Sequence, residues 1–282
     1  MKKLPPIGAH MSVAKGLSNA FIESVEIGGT AMQIFAKSPM RFSLKKFSKE
    51  ETEKVKNLKN RNKTKSVVIH ASYLLNFSKK YTKNSREIAS LVEDIENSEA
   101  IDGDGAVIHL GKKLDMETRV AIDNYVENIR TVLEKTKGLK SKVILENTAG
   151  QGSEIGFRLD ELGQILKKIN NKRVAVCIDT AHLFAGGYDL GPKVGVKETI
   201  NEIKKHISIK KIACVHFNDS KKPLNSRVDR HQDIGKGEIG LAGLKEFYRE
   251  FSKLSNYTIP FILETTQEQL TYKEQLDLIQ SW

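Results

Sequence analysis

Eight short apolar runs recur along the chain, at residues 7–11, 31–35, 66–69, 106–108, 142–145, 173–178, 211–215 and 260–263, separated by segments of helical periodicity. Strands alternating with helices are the signature of βα units, whose strands pair in parallel. Eight such strands close into a barrel, and 282 residues suit one (β/α)8 TIM-barrel domain spanning 1–282. The intervals agree with this. In 116–135, Val120, Ile122, Tyr125, Ile129 and Val132 recur on one helical face. Asn84 followed by Glu87 reads as a capping box opening the helix before the fourth strand. Segments 157–169, 196–207, 241–254 and 272–279 fill the later intervals, and 218–240 is the one long loop, a length that in a compact domain usually marks function.

The residue that ends each run carries the chemistry. The third run ends in His70, the fourth in His109, the fifth in Glu146, the sixth in Asp179, the seventh in His216 and the eighth in Glu264. In a parallel barrel all strand C-termini lie at one mouth, which places the active site there. Carboxylates and imidazoles crowded together stay costly unless cations neutralise them, and this donor mixture suits Zn²⁺, with Mn²⁺ or Fe²⁺ as competitors. Asp229 and His231 stand two apart, so in an extended segment they share a side and can hold one ion. Asp179 and His182 stand three apart and are expected to serve different ions. Cys177 and Cys214 each precede a ligand by two residues and are expected in the barrel core below it.

Composition narrows the setting. Hydrophobic residues make up 39% and charged residues 29%, and no apolar run approaches the roughly 20 residues that span a bilayer. Pro5 and Pro6 interrupt the start, where no secretory apolar stretch follows. Together with cysteine usage that suits a reducing compartment, this predicts an intracellular protein, in the cytoplasm or nucleoid, or in a viral DNA-containing compartment or particle. A net charge of +11 favours a polyanionic partner.

The motifs His70-Ala-Ser-Tyr-Leu-Leu-Asn76, Leu145-Glu-Asn-Thr-Ala-Gly-Gln-Gly152, Cys177-Ile-Asp-Thr-Ala-His182, Gly187-Tyr-Asp189, His216-Phe-Asn-Asp219, Ser226-Arg-Val-Asp-Arg-His231 and Ile234-Gly-Lys-Gly237 carry a resemblance. Across nearly its whole length, from Ile7-Gly-Ala-His10 to Leu263-Glu-Thr265, the chain resembles the endonuclease IV type of apurinic/apyrimidinic DNA-repair endonucleases. The resemblance implies a three-zinc site, with Mn²⁺ or Fe²⁺ as alternatives at one position. His70, His109 and Glu146 would hold one ion; Glu146, Asp179, His216 and Glu264 the second; His182, Asp229 and His231 the third. The four carboxylates cancel only part of that charge and leave a surplus for a phosphate. It further implies that Glu146 and Glu264 are catalytic through the metals they hold, and that a metal-activated water replaces any side-chain nucleophile. The implied substrate is double-stranded DNA with an abasic site, cut on its 5′ side to leave a 3′-hydroxyl and a 5′-deoxyribose phosphate, or with a blocked 3′ end to trim. The enzyme would act in base excision repair as a monomer, with no membrane partner.

The resemblance also implies DNA contacts at His10, Lys37, Met40, Arg41, Tyr73, Leu74, Arg227 and Arg230. Relatives commonly carry an arginine or glutamine pair after the second strand, where this chain has Lys37-Ser-Pro-Met-Arg-Phe42. Met40 takes the expected arginine's place, either as an apolar wedge between base steps or as a plain loop contact. His10 has a DNA contact or support of a ligand as its two readings. Leu110 stands before Gly111 where relatives have proline, so that turn is expected to differ. Two competing readings remain. A sugar isomerase of related barrels needs only Glu146, Asp179, His216 and Glu264, which leaves the other five ligand-type residues unexplained. A noncatalytic DNA-binding barrel would tolerate ligand loss, and none is seen.

Overall fold

A computed structural model describes residues 3–40 and 44–282. Strands β1 (Ile7–Met11), β2 (Ala31–Phe35), β3 (Ser66–His70), β4 (Gly105–His109), β5 (Lys142–Glu146), β6 (Val174–Asp179), β7 (Ile212–His216) and β10 (Phe261–Leu263) form a closed barrel. All pairs are parallel, and β10 closes the ring between β7 and β1. Outside the barrel wall pack α1 (Leu17–Glu26), α2 (Lys49–Asn62), α3 (Arg86–Ala100), α4 (Thr118–Lys135), α5 (Leu159–Ile169), α6 (Thr180–Ala185), α7 (Lys193–His206), α8 (Gly240–Leu254) and α9 (Tyr272–Gln280). Gly8 lets β1 close against β2, since a Cβ there would lie 1.6 Å from the Ala31 carbonyl oxygen.

Two cores follow from strand alternation. Outward-facing residues meet the helices, while Ala31, Val68, Val107, Ile144, Ala175, Cys177, Cys214 and Ile262 fill the barrel interior. Both cysteines are free, buried and part of that inner layer. Stepping two residues along each strand from this layer leads to Gln33, His70, His109, Glu146, Asp179, His216 and Glu264.

Several local expectations are corrected. The Asn84–Glu87 capping box does not form: Ser85 is the N-cap of α3, extended at φ −67 and ψ 151, without a side-chain cap. Capping boxes form instead at Ser48 with Glu51 and at Thr271 with Glu274. Val120 is 44% exposed, because the buried face of α4 runs through Ala121, Ile122 and Tyr125. The 218–240 loop is pinned by a short antiparallel pair, β8 (Asp219–Ser220) with β9 (His231–Gln232). The Asp219 carboxylate accepts the backbone N–H groups of Gly237 and Ile239, and Asp233 accepts those of Gln267, Gln269 and Leu270.

Candidate metal centre

The strand ends bring the nine ligand-type side chains to one mouth. Ligand atoms of His70, His109 and Glu146 lie within 4.8 Å of one another, as do those of Glu146, Asp179, His216 and Glu264, and those of Asp179, His182 and His231. Asp229 joins the last group, its Oδ1 lying 3.3 Å from His182 Nε2 and 3.4 Å from His231 Nε2. Glu146 links the first two groups. Asp179 and His182, expected to serve different ions, share a group, and Asp179 links it to the second.

Hydrogen bonds on the far side of three of the rings fix which nitrogen faces inward. His70 Nδ1 donates to the Ala71 carbonyl at 2.8 Å, His182 Nδ1 to that of Asn147 at 2.9 Å and His231 Nδ1 to that of Glu264 at 3.3 Å. A carbonyl only accepts, so the proton sits on Nδ1 and the Nε2 lone pair points into the cluster. His182 Nε2 and His231 Nε2 are buried there without a hydrogen-bond partner. Such an orphaned nitrogen is costly unless something binds it.

The charges ask for the same thing. Burial works against charging His182, yet Asp179 and Asp229 raise its pKa well above the ordinary value. Burial likewise opposes a charged His216, and Glu264 and Glu146 overcome it. Burial penalises the Glu146 carboxylate, but His216 and His109 hold it well below the usual range. The carboxylates thus favour positive charge among the rings, which a cation held by the inward lone pairs would supply. Imidazole lone pairs, linked carboxylates and two orphaned nitrogens fit divalent cations of the zinc type.

A cavity of about 530 Å³ opens above the cluster, lined by His70, Tyr73, His109, Asp229, Arg230 and Glu264 among others. Tyr73 lines it and is 53% exposed, while Leu74 is 37% and Met40 66% exposed. Arg230 is exposed, while the Arg227 guanidinium lies 3.7 Å from the Phe157 ring centre. Gly150 makes room for that stack, since a Cβ there would meet both side chains. One expected DNA contact is corrected, and a second takes one of its two readings. The Lys37 ammonium is buried, 2.9 Å from Asp94 Oδ1 and 3.3 Å from Glu93 Oε1, and cannot reach a phosphate. His10 turns inward, with Nδ1 3.3 Å from Glu264 Oε1 and Nε2 buried, which is the geometry of its ligand-supporting reading. Arg41 lies outside the described residues.

Three side chains were missed by the sequence reading. Asn147 accepts from the Asp179 N–H, and Asn218 donates to Asp179 Oδ2 at 2.7 Å while accepting from the Glu264 N–H. Gln33 bridges His216, His10 and Glu264. The available signal was an amide inside the apolar run 31–35, two residues beyond Ala31.

The barrel with its ligand-bearing mouth is of the class described as xylose isomerase-like TIM barrel, whose family model matches residues 21–282. A putative endonuclease 4 of Acanthamoeba polyphaga mimivirus is 38% identical, covering 98% of this chain and 93% of that protein. A probable endonuclease 4 of a Sulfurihydrogenibium species is 33% identical, covering 98% of each. The crystal structure of endonuclease IV from Thermus thermophilus superposes with a TM-score of 0.85 at 30% identity, covering 99% of this chain and 98% of that one. The chain therefore belongs to the endonuclease IV family and is a nuclease, a phosphodiester hydrolase. A D-tagatose 3-epimerase-like protein, at TM-score 0.71 and 19% identity, shares the fold alone.

Proposed function

We propose that this protein is a zinc-dependent DNA-repair endonuclease that hydrolyses the phosphodiester on the 5′ side of abasic sites, leaving a 3′-hydroxyl and a 5′-deoxyribose phosphate, and that trims blocked 3′ ends. The observation that carries it is the linked cluster of three ligand groups, with the inward nitrogens of His182 and His231 buried among carboxylates without a hydrogen bond. His70, His109 and Glu146 would hold one ion, Glu146, Asp179, His216 and Glu264 a second, and His182, Asp229 and His231 a third. Bound there, zinc would supply an activated water and stabilise charge on the phosphate in an in-line displacement.

The chain's own residues do the rest. Glu146, shared by the first two positions, and Asp179, whose carboxylate also neighbours His182 and His231, would set the spacing of neighbouring positions. Arg230, exposed and lining the cavity, and Arg227, whose guanidinium lies 3.7 Å from the Phe157 ring centre, would meet the phosphate backbone. Tyr73 at the cavity, with the exposed Leu74 and Met40, would offer apolar surface to enter a step already weakened by a missing base. The surplus of basic residues favours duplex DNA as the partner, met by a monomer. Among the described residues no helix is long and apolar enough to cross a membrane, and we place the enzyme inside the compartment that holds the DNA. The test pairs elemental analysis of the purified protein with nicking of plasmid containing abasic sites. Close to three zinc ions per chain and nicking confined to the abasic plasmid are expected. Full activity with a single ion would overturn the three-position assignment, and a metal-loaded protein that leaves abasic DNA intact would overturn the substrate.

A further inference from the structure

We infer that Gln33 is a positioning residue that selects which ring nitrogen of His216 faces the metal and holds Glu264 in place beside it. The inference rests on the metal-dependent reading above. Gln33 is fully buried and occupies the layer from which the other strands supply ligands. Its amide makes three contacts: Oε1 lies 2.8 Å from His216 Nε2, and Nε2 lies 2.9 Å from His10 Nδ1 and donates to Glu264 Oε1.

The orientation of that amide follows from its neighbours. The Glu264 carboxylate can only accept, so it must meet the NH2 group, which leaves the oxygen for His216. An amide oxygen carries no proton, so His216 must place its own on Nε2. Nδ1 is then left to face Glu146 Oε1 at 2.8 Å and Glu264 Oε2 at 3.1 Å. His216 is thereby reversed relative to His70, His182 and His231, which turn Nδ1 away and offer Nε2. Backbone carbonyls set those three rings. Near His216 that task falls to a side chain from β2, on the far side of β1 and β10 in the barrel order. One amide therefore holds two ligands of the same group.

The test uses the metal-loaded protein as purified, in wild-type form and as Gln33→Met and Gln33→Glu, with two measurements that are not turnover. One is zinc retained against a graded series of chelator concentrations. The other is the histidine ring ¹H–¹⁵N correlation spectrum, which reports which nitrogen carries the proton, with the His216 signal assigned by its loss in His216→Gln. Methionine keeps the length and removes all three polar contacts. Gln33→Met is expected to release one ion at chelator concentrations about 10- to 100-fold lower than wild type, the rest unchanged, and to lose the Nε2–H pattern of His216. Gln33→Glu keeps an acceptor for His216 but sets a like charge against Glu264, so it should keep that pattern and still release the same ion early. Zinc release that matches wild type in the variants overturns the inference, and if Gln33→Met does not fold, Gln33→Glu alone decides. A wild type that holds no metal overturns the metal reading itself, and the inference with it.

Discussion

Glu264 follows β10 and is that strand's contribution to the cluster, 3.1 Å from His216 and 3.3 Å from His10. Burial alone would raise its pKa, but His216 and His10 hold the carboxylate well below the usual range. Glu264→Gln keeps the shape and removes the charge. Cleavage of abasic DNA is expected to fall by orders of magnitude and one metal position to empty, while the melting temperature stays near wild type because stability rests on the packed layers below. Near-normal turnover would show that the site is elsewhere. Met40 offers a second test. If it wedges into the base stack, Met40→Ala weakens binding to abasic DNA more than to intact duplex, and unchanged discrimination in paired titrations would reduce it to a surface contact. Strand-terminal ligands were legible because histidine or a carboxylate ends an apolar run conspicuously. Gln33 was not read, because a neutral amide within an apolar run marks an odd position but not a role until its three partners, from three other strands, are seen around it.

On α3, Glu93 and Asp94 receive the Lys37 ammonium, and Glu93 also accepts the Lys45 N–H, so the helix holds both of these residues. Burial pushes the Asp94 carboxyl up to about 7, although Lys37 pulls it down. A carboxyl whose folded pKa lies above its unfolded value stabilises the fold below the unfolded value and loses that contribution as pH rises through the folded one. The window here runs from about 4 to about 7. Asp94→Asn removes this loss, so its melting temperature should gain on wild type as pH goes from 5 to 8, and a constant difference across that range would refute the argument. Lys37→Met leaves two buried carboxylates and should cost about 3 to 5 kcal/mol at pH 8, and less at pH 5. Elements were legible, since eight short apolar runs mark the eight barrel strands and the later intervals between them show helical periodicity. Their ends were less so. Ser85 and Asn84 are equally good caps in a sequence, and backbone geometry chose Ser85. Lys37 looked like a free cation because its partners lie more than fifty residues away.

The molecule as a whole carries a net charge of +11, and its mouth gathers four carboxylates. The two facts belong to different length scales: the surface attracts a polyanion over a Debye length, while the cluster acts over a few ångströms. Affinity for duplex DNA is expected to fall linearly in log salt, and Arg230→Ala should flatten that slope by about one unit, equally for abasic and intact DNA. A slope unchanged by the substitution would remove Arg230 from the phosphate contacts. Stripping the metal with a strong chelator should abolish nicking while far-ultraviolet circular dichroism stays that of the barrel, because the apolar layers lie below the ligands. Collapse of the helical signal on chelation would instead make the ions structural.

The strand that shuts the barrel is also the last one the chain supplies: β10 pairs with β7 on one side and β1 on the other. The consequence lies in the order of synthesis. While residues 261–264 remain inside the ribosome, the first and seventh strands have no common neighbour and the ligand cluster lacks a carboxylate. On the function proposed, competence to cut and completion of the fold arrive together, and an unfinished chain is no hazard to the genome. Nascent chains stalled before residue 261 should be digested readily by protease and leave abasic DNA whole, whereas chains stalled with the full barrel outside the tunnel should resist the protease and nick.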